Sequence, residues 1–354
     1  WHRILRYGDV DKTFSQADRI VKLGLRFPRY SSTPLETYGV IASYDPPTGM
    51  LTIWANFQGP WTLHSVTARA LDIAEDKLRI ITPPDIGGGF GIKTSVFPYM
   101  TLVGLAAKKA RAPVKWIETR REHLLASSSQ TDRVSFLEAA VKNDGTILGV
   151  KAKVIDNVGG YIRAPEPGCV LRSTGNYVGP YRFQNLMVDG YTVHTNKCPT
   201  GPNRGYGCQH WYFGLERLMD SIANTLGMDP TEVRFKNLIG PGQMPYETPT
   251  GGIYDSGNYP KALRLALDLV GYDGVRREQK KAWEEGRFLG IGVALAVDPG
   301  GSNMGYVTVA LPPEVRARED YLPKSGSVNL ARVRMASTGR VVVSIDSNPQ
   351  GQSH

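Results

Sequence analysis

The chain has 354 residues, 41% hydrophobic and 21% charged, with a formal net charge of +9. That is globular material with enough apolar side chains for a sizeable core, and the length is compatible with about two domains. The longest apolar run, Phe288 to Val297, stays well short of the ~18 residues that a membrane-spanning helix needs, so no transmembrane segment is expected. Cys169, Cys198 and Cys208 form no CxxC pair, which excludes a disulfide framework and, for this chain alone, a four-cysteine iron–sulfur site.

The positive charge invites a nucleic-acid reading, but the basic residues are scattered. The densest group (Arg276, Arg277, Lys280, Lys281) is interleaved with Glu278, Glu284 and Glu285, the pattern of a solvated helix. An anionic cofactor or a partner subunit is also compatible with the charge, and no nucleic-acid partner is expected. The chain begins at Trp1 without a signal-peptide pattern and stops at His354 just after a strand-like run. We therefore expect a piece of something longer, located in the cytoplasm.

In chain order, apolar alternation predicts a strand over Met50 to Ala55. Helical spacing follows in Leu63, Val66, Ala70 and Leu71, then a strand at Leu78 to Ile81. The glycine cluster Gly87-Gly88-Gly89-Phe90-Gly91 comes next, and a helix over Phe97 to Ala110 precedes a strand at Val114 to Glu118. Phe136 to Val154 reads as a hairpin turned at Asn143-Asp144-Gly145. A helix over Tyr212 to Leu226 is followed by another, with Asp229 as N-cap and Pro230 at its first position. Helices at Tyr259 to Val270 and Arg276 to Glu285 lead into strands at Leu289 to Ala296, Val328 to Met335 and Val341 to Ile345. Strands and helices intermix without a regular βαβ beat, which predicts an α+β fold.

Glycines in the 87–91 cluster let backbone amides approach an anion closely, yet the pattern is neither GxGxxG nor a Walker loop. Taken alone it is equally a tight turn without a ligand. His194, Cys198, Cys208 and His210 crowd together, but their spacing fits no usual zinc framework, so no metal site is assigned to them. Neither a GxSxG elbow nor HExxH occurs.

The order of motifs goes further. Asn56-Phe57-Gln58-Gly59-Pro60, Gly87-Gly88-Gly89-Phe90-Gly91, Thr195-Asn196-Lys197, Pro202-Asn203-Arg204-Gly205-Tyr206-Gly207, Leu215-Glu216-Arg217 and Pro349-Gln350-Gly351-Gln352-Ser353-His354 follow one another. The series resembles the large subunit of the molybdenum hydroxylases, the xanthine dehydrogenase, aldehyde oxidase and aerobic CO dehydrogenase family. The resemblance covers essentially the whole chain. It implies the family's molybdopterin-binding domains: residues 1–25 as the tail of a missing hammerhead-like domain or a linker, 26–257 as a first molybdopterin-binding domain, 258–287 as a helical connection and 288–354 as the start of a second.

The resemblance also implies a molybdopterin cofactor carrying Mo, in bacterial members usually the cytosine dinucleotide form. Gln58 would hydrogen-bond an oxygen ligand of molybdenum and is the catalytic candidate. Gly89, Phe90 and Gly91 would face the metal's other oxygen by backbone, Arg204 would hold the cofactor, and Gly351 and Gln352 would contact the pterin. Thr94, Arg172 and Tyr206 are substrate-pocket candidates. Arg172 is equally a surface or phosphate-pairing residue, whereas Tyr206 is read as a pocket wall in preference to a loop-packing residue. Neutral amides suit such a site because they orient anionic groups without adding a competing ligand. The family reaction is oxidative hydroxylation, with a glutamate as base and electrons leaving through [2Fe-2S] clusters to FAD on an iron–sulfur small subunit and a flavin-binding medium subunit.

Four departures matter. The family's catalytic glutamate lies beyond the equivalent of His354, so the rest of the large subunit or a second chain is expected to supply it. Tyr7-Gly8-Asp9-Val10 resembles the closing segment of the hammerhead-like domain, the rest of which is expected to be missing here. Gly205 stands where the CO dehydrogenase loop carries a copper-binding cysteine, so a Mo–Cu site is not expected. Thr94 likewise replaces a purine-binding glutamate. The expected activity is hydroxylation of an aldehyde or an electron-poor N-heterocycle. The rival is a non-catalytic binding or assembly subunit that kept the fold.

Overall fold

The computed structural model describes residues 1–94, 97–163, 166–298, 314, 330–345 and 347–352. In chain order the elements are β1 (His2–Tyr7), α1 (Val10–Ser15), β2 (Arg19–Phe27), β3 (Gly39–Asp45), β4 (Met50–Ala55), α2 (Pro60–Ala70), β5 (Leu78–Ile81), α3 (Phe97–Ala110), β6 (Val114–Ile117) and α4 (Arg120–Ala126). There follow β7 (Asp132–Val141), β8 (Ile147–Gly159), α5 (Gly168–Leu171), β9 (Asn185–His194), α6 (Cys208–Leu226) and α7 (Pro230–Asn237). The last are β10 (Tyr246–Glu247), β11 (Ile253–Tyr254), α8 (Tyr259–Val270), α9 (Tyr272–Glu284), β12 (Ala331–Met335) and β13 (Val341–Ile345). Helices and mixed sheets intersperse, as the α+β expectation requires.

Two sheets carry the structure. The larger runs β1-β9-β8-β7-β2, antiparallel except for the parallel β8/β9 pair. Its spine is the expected hairpin, in which Gly145 takes φ +85 and Lys142 N–H donates to Thr146 O at 2.9 Å. Leu137, Ala139, Val150, Ala152 and Val154 point to one face, where α6 covers them with Trp211, Leu215, Leu218, Met219 and Ile222. Burying each large apolar side chain contributes about 1.5–3 kcal/mol. Gly214 permits the close crossing, since a Cβ there would sit 3.1 Å from Leu137 Cδ1. The smaller sheet, β5-β4-β3-β6, buries Val40, Ala42, Leu51 and Ile53 beneath α2 and α3.

Local physics explains the helix ends. The Asp229 carboxylate accepts from Thr231 N–H, with Pro230 at the first position of α7 as expected. Thr119 and Glu122 form a capping box on α4. Buried Arg234 of α7 pairs with Glu216 (2.9 Å) and Asp220 (3.0 Å) of α6, and Tyr181 Oη donates to Glu216 at 2.6 Å. Glu216, met in the sequence as part of Leu215-Glu216-Arg217, thus ties helices together.

Residues 1–25, expected as the tail of a missing hammerhead-like domain or a linker, contain β1 and most of β2, both edge strands of the larger sheet. Some expected element bounds shift. Helix α6 starts at Cys208 rather than Tyr212, and α9 at Tyr272 rather than Arg276, because Gly207 and Gly271, at φ +89 and +63, turn the chain directly into each helix. Leu289 to Ala296 joins no ladder among the described residues. Val293, Leu295 and Val297 pack on the larger core by alternation, but the backbone is held by side chains: Leu295 N–H donates to Glu216 at 3.0 Å and Gln279 to Leu289 O at 2.8 Å. Residues 328 and 329 of the expected strand over Val328 to Met335, and Ser353 and His354, lie outside the described residues.

Candidate functional site

The glycine loop after β5 is shaped by contacts that its own sequence does not announce. A Cβ on Gly87 would overlap the Glu36 side chain. Gly87 N–H donates to Glu36 Oε2 at 2.9 Å, and Glu36 N–H to Gly87 O at 3.1 Å. Lys93, 2% exposed, donates its Nζ to the same carboxylate at 2.8 Å. Burial alone would raise the Glu36 carboxyl, but the Lys93, Gly87 and Asn56 hydrogen bonds outweigh it and hold it below the usual range. Burial pushes the Lys93 ammonium down. Phe90 stands at the loop with φ +53 and its ring exposed, a backbone conformation that costs a non-glycine residue on the order of 1 kcal/mol and needs surrounding support.

Four segments distant in sequence meet at this loop. Gln58 Oε1 accepts from Gly91 N–H at 2.8 Å, and Gln58 Nε2 donates to Gln350 Oε1 at 2.7 Å. A Cβ on Gly89 would lie 2.6 Å from Gln58 Cδ and 2.7 Å from Gln350 Oε1, and one on Gly91 would lie 2.8 Å from Pro202 O. Ile86 N–H donates to Pro349 O at 3.1 Å. The Pro202–Gly207 loop is itself tied down: Asn203 Nδ2 and Gln209 Nε2 donate to Tyr30 Oη at 2.6 and 2.8 Å, and Gln209 also donates to Arg204 O. The Arg204 side chain stays exposed on this fixed backbone.

The structure brings together Gln58, Gly89, Phe90, Gly91 and the Arg204 loop. Gln350, which sequence reasoning passed over in favour of its neighbours, is the residue that reaches Gln58. Gly351 is exposed with open space where a Cβ would stand, and Gln352 folds back to accept from Gln350 N–H. Thr94 sits half-buried, its N–H on Gly91 O at 3.1 Å. Arg172 is half-buried near Cys208 and Tyr212: burial pushes both of those groups up, and the Arg172 charge works against it. Gly205, Cys208, Gln209 and Tyr212 border a cleft of about 610 Å³. Tyr206 is 7% exposed and belongs to the larger core, so its ring packs within the loop.

The crowded histidines and cysteines separate. His210 Nε2 bonds Thr131 O at 3.0 Å, Cys198 Sγ donates to Ser127 O, and Cys208 accepts from Ser173. Among the described residues no group of three His, Cys, Asp or Glu side chains is placed to hold a metal. Among them, too, no helix is long and apolar enough to cross a membrane.

Residues 2–238 match the molybdopterin cofactor-binding domain family, and the chain belongs to that family. It is 31% identical to the nicotine 6-hydroxylase large subunit of Paenarthrobacter nicotinovorans, over 98% of this chain and 41% of that one. It is 34% identical to the carbon monoxide dehydrogenase large chain of Afipia carboxidovorans, over 98% and 42%. Its fold superposes on quinoline 2-oxidoreductase from Pseudomonas putida 86 with a TM-score of 0.86 at 27% identity, covering 100% of this chain and 44% of that chain. The chain thus spans less than half the length of each of these three relatives.

Proposed function

We propose that the chain is the central part of the large subunit of a molybdenum-dependent hydroxylase that oxidises an aldehyde or an N-heterocycle. The observation that carries this is the meeting of Gln58, Gly89–Gly91, Pro202–Arg204 and Gln350 in one place. The group implied is a molybdopterin, in the cytosine dinucleotide form by our reading, and the residues suit it. Gly89 and Gly91 leave no room for a Cβ, Gln58 and Gln350 are neutral amides, and Arg204 offers an exposed guanidinium. The carboxylate that touches the loop, Glu36, is already taken up by Lys93 and Gly87.

When bound, the cofactor supplies the two-electron oxidation chemistry. The chain's own part is to bind and orient. Gln58 would use its Nε2 on a metal-ligand oxygen while its Oε1 stays fixed by Gly91 N–H, exchanging the Gln350 partner for the cofactor. Arg204 would neutralise an anionic group of the cofactor, and Gln350, rather than Gln352 alone, would contribute to the pterin side. Arg172 is kept as a substrate-facing candidate.

The proton-accepting glutamate belongs to the rest of the large subunit or to another chain, and [2Fe-2S] clusters and FAD to small and medium partner subunits. We place the assembly in the cytoplasm, where thiols such as Cys169, Cys198 and Cys208, all unpaired here, remain reduced. The deciding experiment is cofactor analysis of the complete native complex: molybdenum and a pterin nucleotide are expected, and finding neither would sink the reading.

A further inference from the structure

Beneath the Arg204 loop lies a buried acid that the reading so far does not use. Glu166 is 8% exposed. Its Oε2 accepts from Cys169 N–H at 3.1 Å and its Oε1 from Thr200 Oγ1 at 3.2 Å. Both contacts are neutral donors. Arg133, which reaches the Cys169 carbonyl, is already engaged, since it forks onto Asp156 at 2.6 and 2.7 Å. Among the described residues no cation pairs with Glu166, and a buried carboxyl so placed destabilises a fold relative to an apolar residue of the same size, so packing alone does not account for it.

What Glu166 does hold is a strained piece of backbone. Gly205, Tyr206 and Gly207 take φ +86, +32 and +89 in succession, and Tyr206 has no glycine's freedom to do so. The floor of this turn is made by the groups around Glu166. A Cβ on Gly207 would overlap the Cys169 carbonyl, and Arg133 donates to Cys169 O at 3.1 Å and Gly207 O at 3.4 Å. Cys169 and Thr200 come from two separate stretches of chain, and Glu166 is their common acceptor.

We propose that Glu166 is a positioning residue for the cofactor: by gripping Thr200 and Cys169 together it fixes the left-handed turn that aims Arg204. This rests on the reading that the Pro202–Gly207 loop holds the cofactor. The test uses the complete complex, measuring bound molybdenum after purification and its rate of release in mild urea, below the unfolding transition. Glu166→Ala and Thr200→Val are each expected to speed release about tenfold, the size of one buried hydrogen bond. The double variant should be no worse than the more severe single one, because the two act through one contact. Glu166→Gln, which keeps an acceptor, should restore retention to near wild type.

Multiplicative effects in the double variant, or wild-type retention in Thr200→Val, would overturn the assignment, and the latter decides the matter even if Glu166→Ala fails to fold. Arg204→Ala separates the two levels of the argument. If it loses molybdenum while Glu166→Ala keeps it, only the role of Glu166 fails. If Arg204→Ala itself keeps molybdenum, the reading of the loop as a cofactor clamp fails instead.

Discussion

Gln58 shows how a single side chain is prepared for work by its surroundings. One end of its amide is fixed on Gly91 N–H and the other on Gln350, so the donor needs no search to find its orientation. Gln58→Ala is expected to leave the fold nearly intact and to lower turnover about 10²-fold, as misplacing a reacting group by an ångström does; normal turnover in a molybdenum-loaded complex would show the assignment wrong. Two buried groups set the pH dependence of stability. Burial, with the Asp156 charge adding, pushes Glu166 up to about 7 from 4.5. Burial, then the Arg133 charge, pushes His210 down to about 4 from 6.5. Between pH 4.5 and about 7 the folded chain holds a Glu166 proton that the unfolded chain has released, so stability falls as pH rises. Between about 4 and 6.5 the unfolded chain binds a proton at His210 that the folded chain does not, so stability rises with pH. Each effect is on the order of 3 kcal/mol, and they oppose. Glu166→Gln should therefore make Tm climb more steeply from pH 4 to 6.5 than in the wild type, and parallel Tm profiles would refute the direction given for Glu166.

At the scale of elements, capping residues join helices as well as ending them. Asp229 caps α7 through Thr231 N–H at 2.8 Å, accepts from Tyr272 Oη at 3.0 Å, and pairs with Arg276 Nε at 3.3 Å on α9. Asp229→Ala should cost about 2 kcal/mol, the upper end for a cap, because the contacts to α9 go with it. Calorimetry on Asp229→Ala and Tyr272→Phe separates the two contributions, and a loss under half that figure would mean that the α9 contacts contribute nothing. Molybdenum retention should not change, since α7 and α9 carry none of the converging segments.

At the scale of the whole molecule, the question is which substrate the assembled site favours. A copper thiolate needs a soft sulfur ligand beside the molybdenum. Gly205 offers none, and its φ of +86 strains any side chain placed there. Cys208 is 2% exposed within the core, where burial pushes its thiol up and disfavours the thiolate. The complete complex should therefore contain no stoichiometric copper and should oxidise aldehydes or N-heterocycles in preference to CO. An acceptor-reduction assay over that panel, with copper analysis, checks it, and stoichiometric copper with CO as the best substrate would overturn it.

The sequence by itself carried whatever depends on neighbours along the chain. The Asn143-Asp144-Gly145 turn, the Asp229-Pro230 helix start and the 87–91 glycine turn follow from backbone preferences of a few residues, and the ordered motifs pointed to the family. Tertiary structure alone decided what depends on partners far away. Gln350 rather than Gln352 meets Gln58 across 292 positions, because a one-residue choice in a loop is set by what the loop packs against. Glu36 and Lys93 brace the glycine loop across 57 positions, with no local pattern to mark either. Residues 1–25 became sheet edges because β9 and β7 offer them backbone partners, while Leu289 to Ala296 kept the alternation of a strand and formed no ladder among the described residues. Side-chain periodicity is written locally, whereas a hydrogen-bonded ladder exists only where a second backbone lies alongside.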